Sequence, residues 1–415
     1  MQQSGNQSLE ASIEVRRTWN RSLLSLIATG HGVTHWYAGI LSVILPLMAK
    51  DLDFSYTQVG LLMTGRALLG AGGNIATSIA ADLGGRRRSI LIGAVLGVAL
   101  CYVCLGWVSG LMMVVLFGSL AAMASNAWHP PAMSLLGETF PERRGYALGW
   151  HGMGANLGQS LSPLIVGSLL VIITWRQVLF LNIVPGLVMA GLLWWSLPVL
   201  DQDRLPRQGK QYWNQLKDGL AYNPALIKVA VLSVLRTMGQ QGLQTFLPLY
   251  LAYELDFGPK LVGIGLAVMT LSGSVLEPLS GRLSDRIGRQ PVLFISLFCS
   301  ALVMWGLTQV NGIWAPLLFV GLIGLLHFSL RPIIFAYALD VTPPDIGAST
   351  VGFVFSVNQI FSTLSPVLIG YLADVYDLRV AFYIFAALSL LAALWVPIMS
   401  QGQSLNEGTR SRRVS

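Results

Sequence analysis

Twelve separate apolar runs constrain what this chain can fold into. A helix that crosses the hydrocarbon layer of a membrane needs roughly 20 mostly apolar residues. Such runs lie at 22–48, 57–80, 89–108, 111–135, 146–172, 177–198, 224–250, 260–282, 291–309, 314–338, 347–372 and 380–400. They are continuous rather than alternating, which argues against a membrane β-barrel. The composition agrees. Of 415 residues, 54% are hydrophobic and 11% charged, and the mean hydropathy is +0.63, whereas a soluble domain carries about 25% charged residues. A soluble enzyme, a disordered chain and an ordinary nucleic-acid binder are thereby excluded. The fold class expected is an all-α membrane protein of twelve transmembrane helices. The polar first 21 residues predict no cleavable signal peptide. The polar stretch 199–223 divides the spans into two sets of six. The expected organisation is an N-terminal segment 1–21, a six-helix bundle 22–198, a linker 199–223, a second bundle 224–400 and a tail 401–415.

The net charge of +7 is a matter of topology, not of a polyanion partner. With a cytoplasmic N-terminus, nineteen of the 26 Lys and Arg residues fall on inner segments and four (Lys50, Arg176, Lys260, Arg379) on outer ones. The remaining three, Arg66, Arg236 and Arg331, lie inside spans. Cytoplasmic loops carry the Lys/Arg excess, so both termini are expected in the cytoplasm. Cys101, Cys104 and Cys299 all sit in apolar runs. Three cysteines build no disulfide framework, and the Cys101–Cys104 spacing reads as helix filler rather than a redox or zinc site.

The two sets repeat at an offset of 203 residues. Gly60 matches Gly263, and Gly70 matches Gly273. Asp82, Gly85 and Arg86 match Asp285, Gly288 and Arg289. Ser162-Pro163 matches Ser365-Pro366, and Gly167 matches Gly370. Duplicated bundles suit alternating access, with a substrate site between the repeats near mid-membrane.

Gly281-Arg282-Leu283-Ser284-Asp285-Arg286-Ile287-Gly288-Arg289 resembles the loop signature of the major facilitator superfamily, here between spans eight and nine. Its first-half copy, Ser78 to Arg87, has Ser78 for a Gly and Leu83 for an Arg. The chain is more closely similar to the fosmidomycin-resistance-type exporters. The residues that carry this likeness are Gly30-His31, Ser55 to Gly60, His129-Pro130, Arg236 and Thr245 to Tyr250. His35 and Arg66 depart from that pattern. Span five, with Gly149, Gly158, Ser162-Pro163 and Gly167, resembles the Gly-Pro signature of superfamily antiporters. Span four has no Arg, unlike many proton-driven drug exporters. The resemblance implies that spans one, four, seven and ten line a central cavity. It also implies that Asp82, Arg86, Asp285, Arg286 and Arg289 act in gating, as a charge latch between the halves on the cytoplasmic side. The plainer reading of these charges is topology determinants in tight turns.

All five histidines, His31, His35, His129, His151 and His327, fall within spans, as do Arg66, Arg236, Arg331 and Glu277. Ionisable groups inside a membrane are costly and by default mark a pathway or a proton relay. Residues four apart share a helix face. His31 with His35, Ser125 with His129, Arg236 with Gln240 and Gln244, and His327 with Arg331 therefore each form a polar stripe. The candidate substrate contacts are His31, His35, Trp36, His129, Arg236, Gln240, Gln244, His327 and Arg331. Tyr37, Trp128 and Trp150 are further aromatic candidates. Arg236 and Arg331 suit an anionic phosphonate or carboxylate; the alternative is that each pairs inside its own half with Glu277, a carbonyl or a His. Glu277, the only acid deep in a span, is the first candidate for proton coupling. A cavity histidine such as His151 is the second, because His titrates near neutral pH. The alternative for Glu277 is a structural partner. Further polar groups in spans are Arg66, Asn156, Gln159 and Asn358. No metal site is expected, since His31 and His35 have no evident third ligand, and no cofactor.

The expectation is a monomeric secondary transporter of a bacterial inner membrane, not an enzyme. It would exchange protons for a small anionic or amphiphilic compound moved outward, with lipid as its surroundings and no nucleic-acid partner. The competing reading is uptake or facilitated transport of a small anion.

Overall fold

Hydrocarbon offers no hydrogen-bond partner, so a membrane-spanning backbone must satisfy itself as a helix. The computed structural model has helix at all twelve predicted places and describes residues 2–84, 87–197, 223–342 and 347–400. The helices are α1 (Gln2–Asp51), α2 (Tyr56–Gly84), α3 (Arg87–Trp107), α4 (Leu111–Asn126), α5 (His129–Thr139), α6 (Arg144–Leu169), α7 (Trp175–Leu181) and α8 (Ile183–Ser196). They continue with α9 (Pro224–Tyr253), α10 (Pro259–Ile287), α11 (Arg289–Leu307), α12 (Trp314–His327), α13 (Arg331–Asp340), α14 (Gly347–Val375) and α15 (Leu378–Ser400). No strand occurs among the described residues. The linker 199–223, apart from Asn223, and the tail 401–415 lie outside them.

Three spans are built from two pieces, and proline and asparagine explain why. Span four breaks between α4 and α5, where His129-Pro130-Pro131 begins a new helix. Span ten turns through a 3₁₀ segment, Phe328–Leu330, before Arg331-Pro332. Proline lacks an N–H and its ring clashes with the carbonyl four residues back, so it suits a first turn and not an interior. Trp128 and Arg331, which adjoin the breaks, are related by the 203-residue offset. Span six breaks at Asn182, whose side-chain amide donates to the Val178 carbonyl at 2.7 Å.

Nine described helical segments are long and apolar enough to cross a membrane by themselves. The other spans, α2, α6 and α9, dilute their apolar residues with Gly, Asn, Gln, Thr and Arg. In α2 and α6 several of these glycines lie against the backbone of a neighbouring helix, as small residues allow in membranes.

The chain forms two compact units: Met1–Leu41 with Leu68–Ser162 and Ile173–Pro206, and Ser42–Ala67 with Pro163–Ile172 and Arg207–Ser415. The core of the first includes Ile27, Leu91, Val95, Trp128 and Leu136. That of the second includes Leu226, Leu293, Ile333, Ile334 and Val396. The division passes through α1, α2 and α6, because the far ends of these helices, at the face where α1 ends, pack within the second unit.

Glycines at the repeated positions set that packing. In the second unit, a Cβ on Gly167 would lie 2.6 Å from the Pro259 carbonyl oxygen, and one on Gly263 would collide with the Pro163 carbonyl. The 203-residue counterparts behave alike. Gly370 abuts the Tyr56 carbonyl and Gly60 abuts that of Pro366. α6 thus crosses α10, and α2 crosses α14, with backbones in contact. Beside the second crossing, Asp374 accepts from the Tyr56 N–H at 2.7 Å, the Thr57 N–H at 2.8 Å and the Thr57 hydroxyl at 2.5 Å. This caps the open amides at the start of α2. In the first unit, Gly154 and Gly158 of α6 meet the carbonyls of Ala28 and Gly32 of α1.

Gly158→Leu should therefore lower the thermal unfolding midpoint of the purified protein, at a cost of roughly 1–3 kcal/mol for overfilling a packed site. Gly191→Leu, where an added Cβ meets nothing within 4 Å, should leave the midpoint unchanged in the same fluorescence melt.

Candidate functional site

The close α1–α6 crossing brings four histidines of the first unit together. His31 stands on α1, buried at 5% exposure. Its Nδ1 lies 2.7 Å from the His151 carbonyl of α6, and the two rings stack with centroids 3.7 Å apart. The break before α5 turns His129 inward, with its Nε2 3.2 Å from His31 Nε2. His129 Nδ1 lies 3.2 Å from the Asn126 carbonyl, in the last turn of α4. His35, one turn along α1, sits edge-on to His31 at 4.7 Å and places Nδ1 3.2 Å from Gln159 Oε1. Trp128 Nε1 donates to His151 Nε2 at 3.3 Å. Gly30 leaves room for the Trp128 indole.

The histidine stripe is thus one polar cluster, and the expectation that His31 and His35 lack a third nitrogen ligand is corrected. Ligand nitrogens of His31, His35 and His129 all lie within 4.8 Å of one another. Sequence spacing compared residues along one helix, and His129 comes from another. Tyr37 and Trp128, expected as substrate contacts, are instead core residues, 1% and 0% exposed. The Tyr37 hydroxyl donates to the Asn182 carbonyl at 2.6 Å.

Trp36 Nε1 donates to Asn182 Oδ1 at 2.7 Å, which ties α1 to the break in span six. Trp36 also lines a cavity of about 560 Å³ with Thr29, Gly32, Trp150, Met153 and Gly158. No histidine lines this cavity. Asn156 is half-buried on α6.

The second unit holds the arginine site. Arg236, on α9, is 3% exposed. Its Nε donates to the His327 carbonyl at 3.2 Å and its Nη2 to Gln240 Oε1 at 2.5 Å. His327, at the end of α12, places Nε2 3.2 Å from the Arg236 carbonyl. Among the described residues no carboxylate lies within 4.0 Å of Arg236. Arg331, with a side chain 61% exposed, reaches Glu277 at 3.4 Å. Both arginines therefore have partners in their own half. Asn358 donates to Ser233 Oγ at 2.8 Å, which joins α14 to α9. Gln244 and Arg66 are half-buried, on α9 and α2.

The signature loop pairs locally. Arg289 bonds Asp285, Ser284 Oγ at 2.7 Å and Asp340 Oδ2 at 3.2 Å. These are residues of its own half, where the latch expectation sought the other half; Arg286 is exposed. Arg86 and the side chain of Asp82 lie outside the described residues. In the first half Arg87 grips both oxygens of Glu138, at 2.7 and 2.8 Å. Sequence reasoning missed this pair. It has the same 51-residue separation as Arg289–Asp340, but lies one residue out of the 203-residue register, so the repeat did not signal it.

Twelve helical spans in a duplicated order, with charged groups carried at depth, are the architecture of a membrane transporter. The chain belongs to the Major Facilitator Superfamily, whose model matches residues 27–226 and 229–414. It is similar to the multidrug resistance protein MdtG of Proteus mirabilis, 26% identical over 368 residues, covering 83% of this chain and 87% of that one. It is 24% identical over 369 residues to the sugar efflux transporter A of Dickeya chrysanthemi, covering 84% and 88%. The solved nucleoside transporter NupG shares the fold, with a TM-score of 0.74 at 15% identity over 91% of this chain and 98% of that one. Proteins of this superfamily are transporters, not enzymes.

Arg87→Met removes the bidentate partner of the half-buried Glu138, leaving it the Ser134 hydroxyl, and should destabilise the protein by about 1–3 kcal/mol. Arg289→Met, whose acidic partners are more exposed, should cost less. Thermal melts of the two variants compare them directly.

Proposed function

We propose that the chain is a proton-coupled exporter of a small anionic or amphiphilic compound, of the fosmidomycin-resistance type. It sits in a bacterial inner membrane as a monomer with both termini cytoplasmic, and the six-span halves 22–198 and 224–400 rock about a central site. The observation that carries this reading is the Arg236 guanidinium, buried on a membrane helix and held by a carbonyl and an amide alone. A buried cation with no opposite charge in contact is expensive. An anionic substrate group supplies that charge, and Gln240 is placed to share it. Arg331 and Glu277 are close enough to act electrostatically on Arg236. Protonation of Glu277 would release Arg331, which couples a proton to the charge offered to an anion. Asp285, Arg286 and Arg289 serve gating in this reading. His31, His35, Trp36, His129, Gln244 and His327 remain candidate substrate contacts, and His151 the second proton candidate.

The Glu277–Arg331 pair also favours a second reading. If that pair is structural, the protein carries a small anion without coupling, and Arg66, Arg236 and Arg331 serve the anion.

In everted vesicles with an imposed proton gradient, added phosphonates should collapse the gradient under the exporter reading. Anion counterflow indifferent to pH, with no substrate-evoked proton movement, selects the uncoupled reading. Arg236→Gln should abolish substrate binding in both, and unchanged affinity removes the arginine site. Glu277→Gln should keep counterflow and lose proton-driven transport; normal driven transport places the proton site elsewhere.

A further inference from the structure

The histidine cluster holds a contradiction that hydrogen bonding alone does not resolve. A carbonyl oxygen can only accept, so His31 Nδ1 must donate to the His151 carbonyl at 2.7 Å. His129 Nδ1 must likewise donate to the Asn126 carbonyl at 3.2 Å. In each neutral ring the other nitrogen, Nε2, then carries a lone pair. Yet His31 Nε2 and His129 Nε2 face each other at 3.2 Å. Two lone pairs at that distance repel unless a cation lies between them. His35 places Nδ1 3.2 Å from Gln159 Oε1; with the amide oxygen accepting there, Nε2 is its basic nitrogen.

We infer that His31, His35 and His129 form a binding site for a divalent transition-metal ion of the zinc class. The spacing fits. Zn–N bonds of about 2.0–2.1 Å in a tetrahedron put neighbouring nitrogens roughly 3.3 Å apart, close to the observed His31–His129 separation. The third ligand nitrogen lies within 4.8 Å of the others, near enough to close in when an ion binds. A bridging proton joins only two of these nitrogens, whereas a metal ion engages one from each of the three rings.

The surrounding groups have the arrangement that metal sites use. Metal-ligating histidines donate their second nitrogen to a carbonyl or carboxylate, which fixes the tautomer and the ring orientation. Here the His151 carbonyl, the Asn126 carbonyl and the Gln159 amide do so for three rings. The His151 ring stacks on His31 and is itself held by the Trp128 indole N–H. His31 is buried while His35 and His129 are half-buried, so the ion has a way in. Imidazole nitrogen suits Zn, Cu, Ni and Co and discriminates against Mg and Ca. Bound there, the ion ties span one to span four within the first unit. The ion site does not depend on Arg236 and Gln240, which carry the anion reading, and no transport measurement enters its test.

The test uses the full-length protein in detergent, purified through a histidine-free tag and stripped with chelator. Co²⁺ is the probe. The expected result is saturable binding of a single ion per chain, with the visible absorption of nitrogen-ligated cobalt, displaced by Zn²⁺ and not by Mg²⁺. Zn²⁺ should also raise the thermal midpoint. His129→Ala and His35→Ala should each lose the cobalt spectrum and the thermal shift. Gln159→Ala, which alters only the orientation of a ligand, should weaken binding by about 10–100-fold. Failure of the wild-type protein to bind Co²⁺ or Zn²⁺ saturably overturns the proposal, and that arm does not depend on any variant folding. Binding of equal strength in both histidine variants also overturns it, since the ion would then sit elsewhere.

Discussion

A charge or polar group placed in hydrocarbon must find its partner inside the protein, and the structure is organised around that constraint. The apolar surface alone would be satisfied by any stack of greasy helices, for lipid tails are as apolar as leucine. Specific arrangement comes from the groups that lipid rejects. Arg87 closes on Glu138, Arg331 on Glu277, Asn358 on Ser233 and Trp36 on Asn182. Each of these contacts joins two helices within one unit, so satisfying the side chains also sets which helices are neighbours. Arg236, and the facing Nε2 atoms of His31 and His129, are the places where internal satisfaction stops short. Those two places are where ligands are proposed.

Polar pairing at such short range requires backbones that come together, which explains why the repeated residues are mostly glycine and proline. At 203-residue spacing, Gly60 and Gly263, Pro163 and Pro366, and Gly167 and Gly370 all lie at two equivalent helix crossings in the second unit. A side chain at any of these glycines would push the helices apart. The repeat is therefore a record of contact geometry and not only of descent. Outside the signature loop it does not extend to several charged groups. Asp374 caps α2, but the residue 203 positions earlier is Val171. Arg236 and its partners also have apolar counterparts in the first half, such as Val33. A duplicated scaffold with unequal polar contents lets one half carry a cation and the other a cluster of bases.

Much of this was legible in the chain itself. Twelve apolar runs and the common offset dictate helices and duplication through local chemistry: hydrogen-bond satisfaction in lipid and the small volume of glycine. Helical spacing likewise put His31 beside His35 and Arg236 beside Gln240 on shared faces. Distances between helices are not written in such spacing. It took the tertiary structure to bring His129 against His31, to bury Trp128 and Tyr37 in the core, to pair Arg289 with Asp340 and to leave Arg236 among neutral acceptors. The physical reason is that periodicity along one helix specifies a direction for each side chain, whereas coordination and ion pairing depend on which other helix meets that direction, and at what depth.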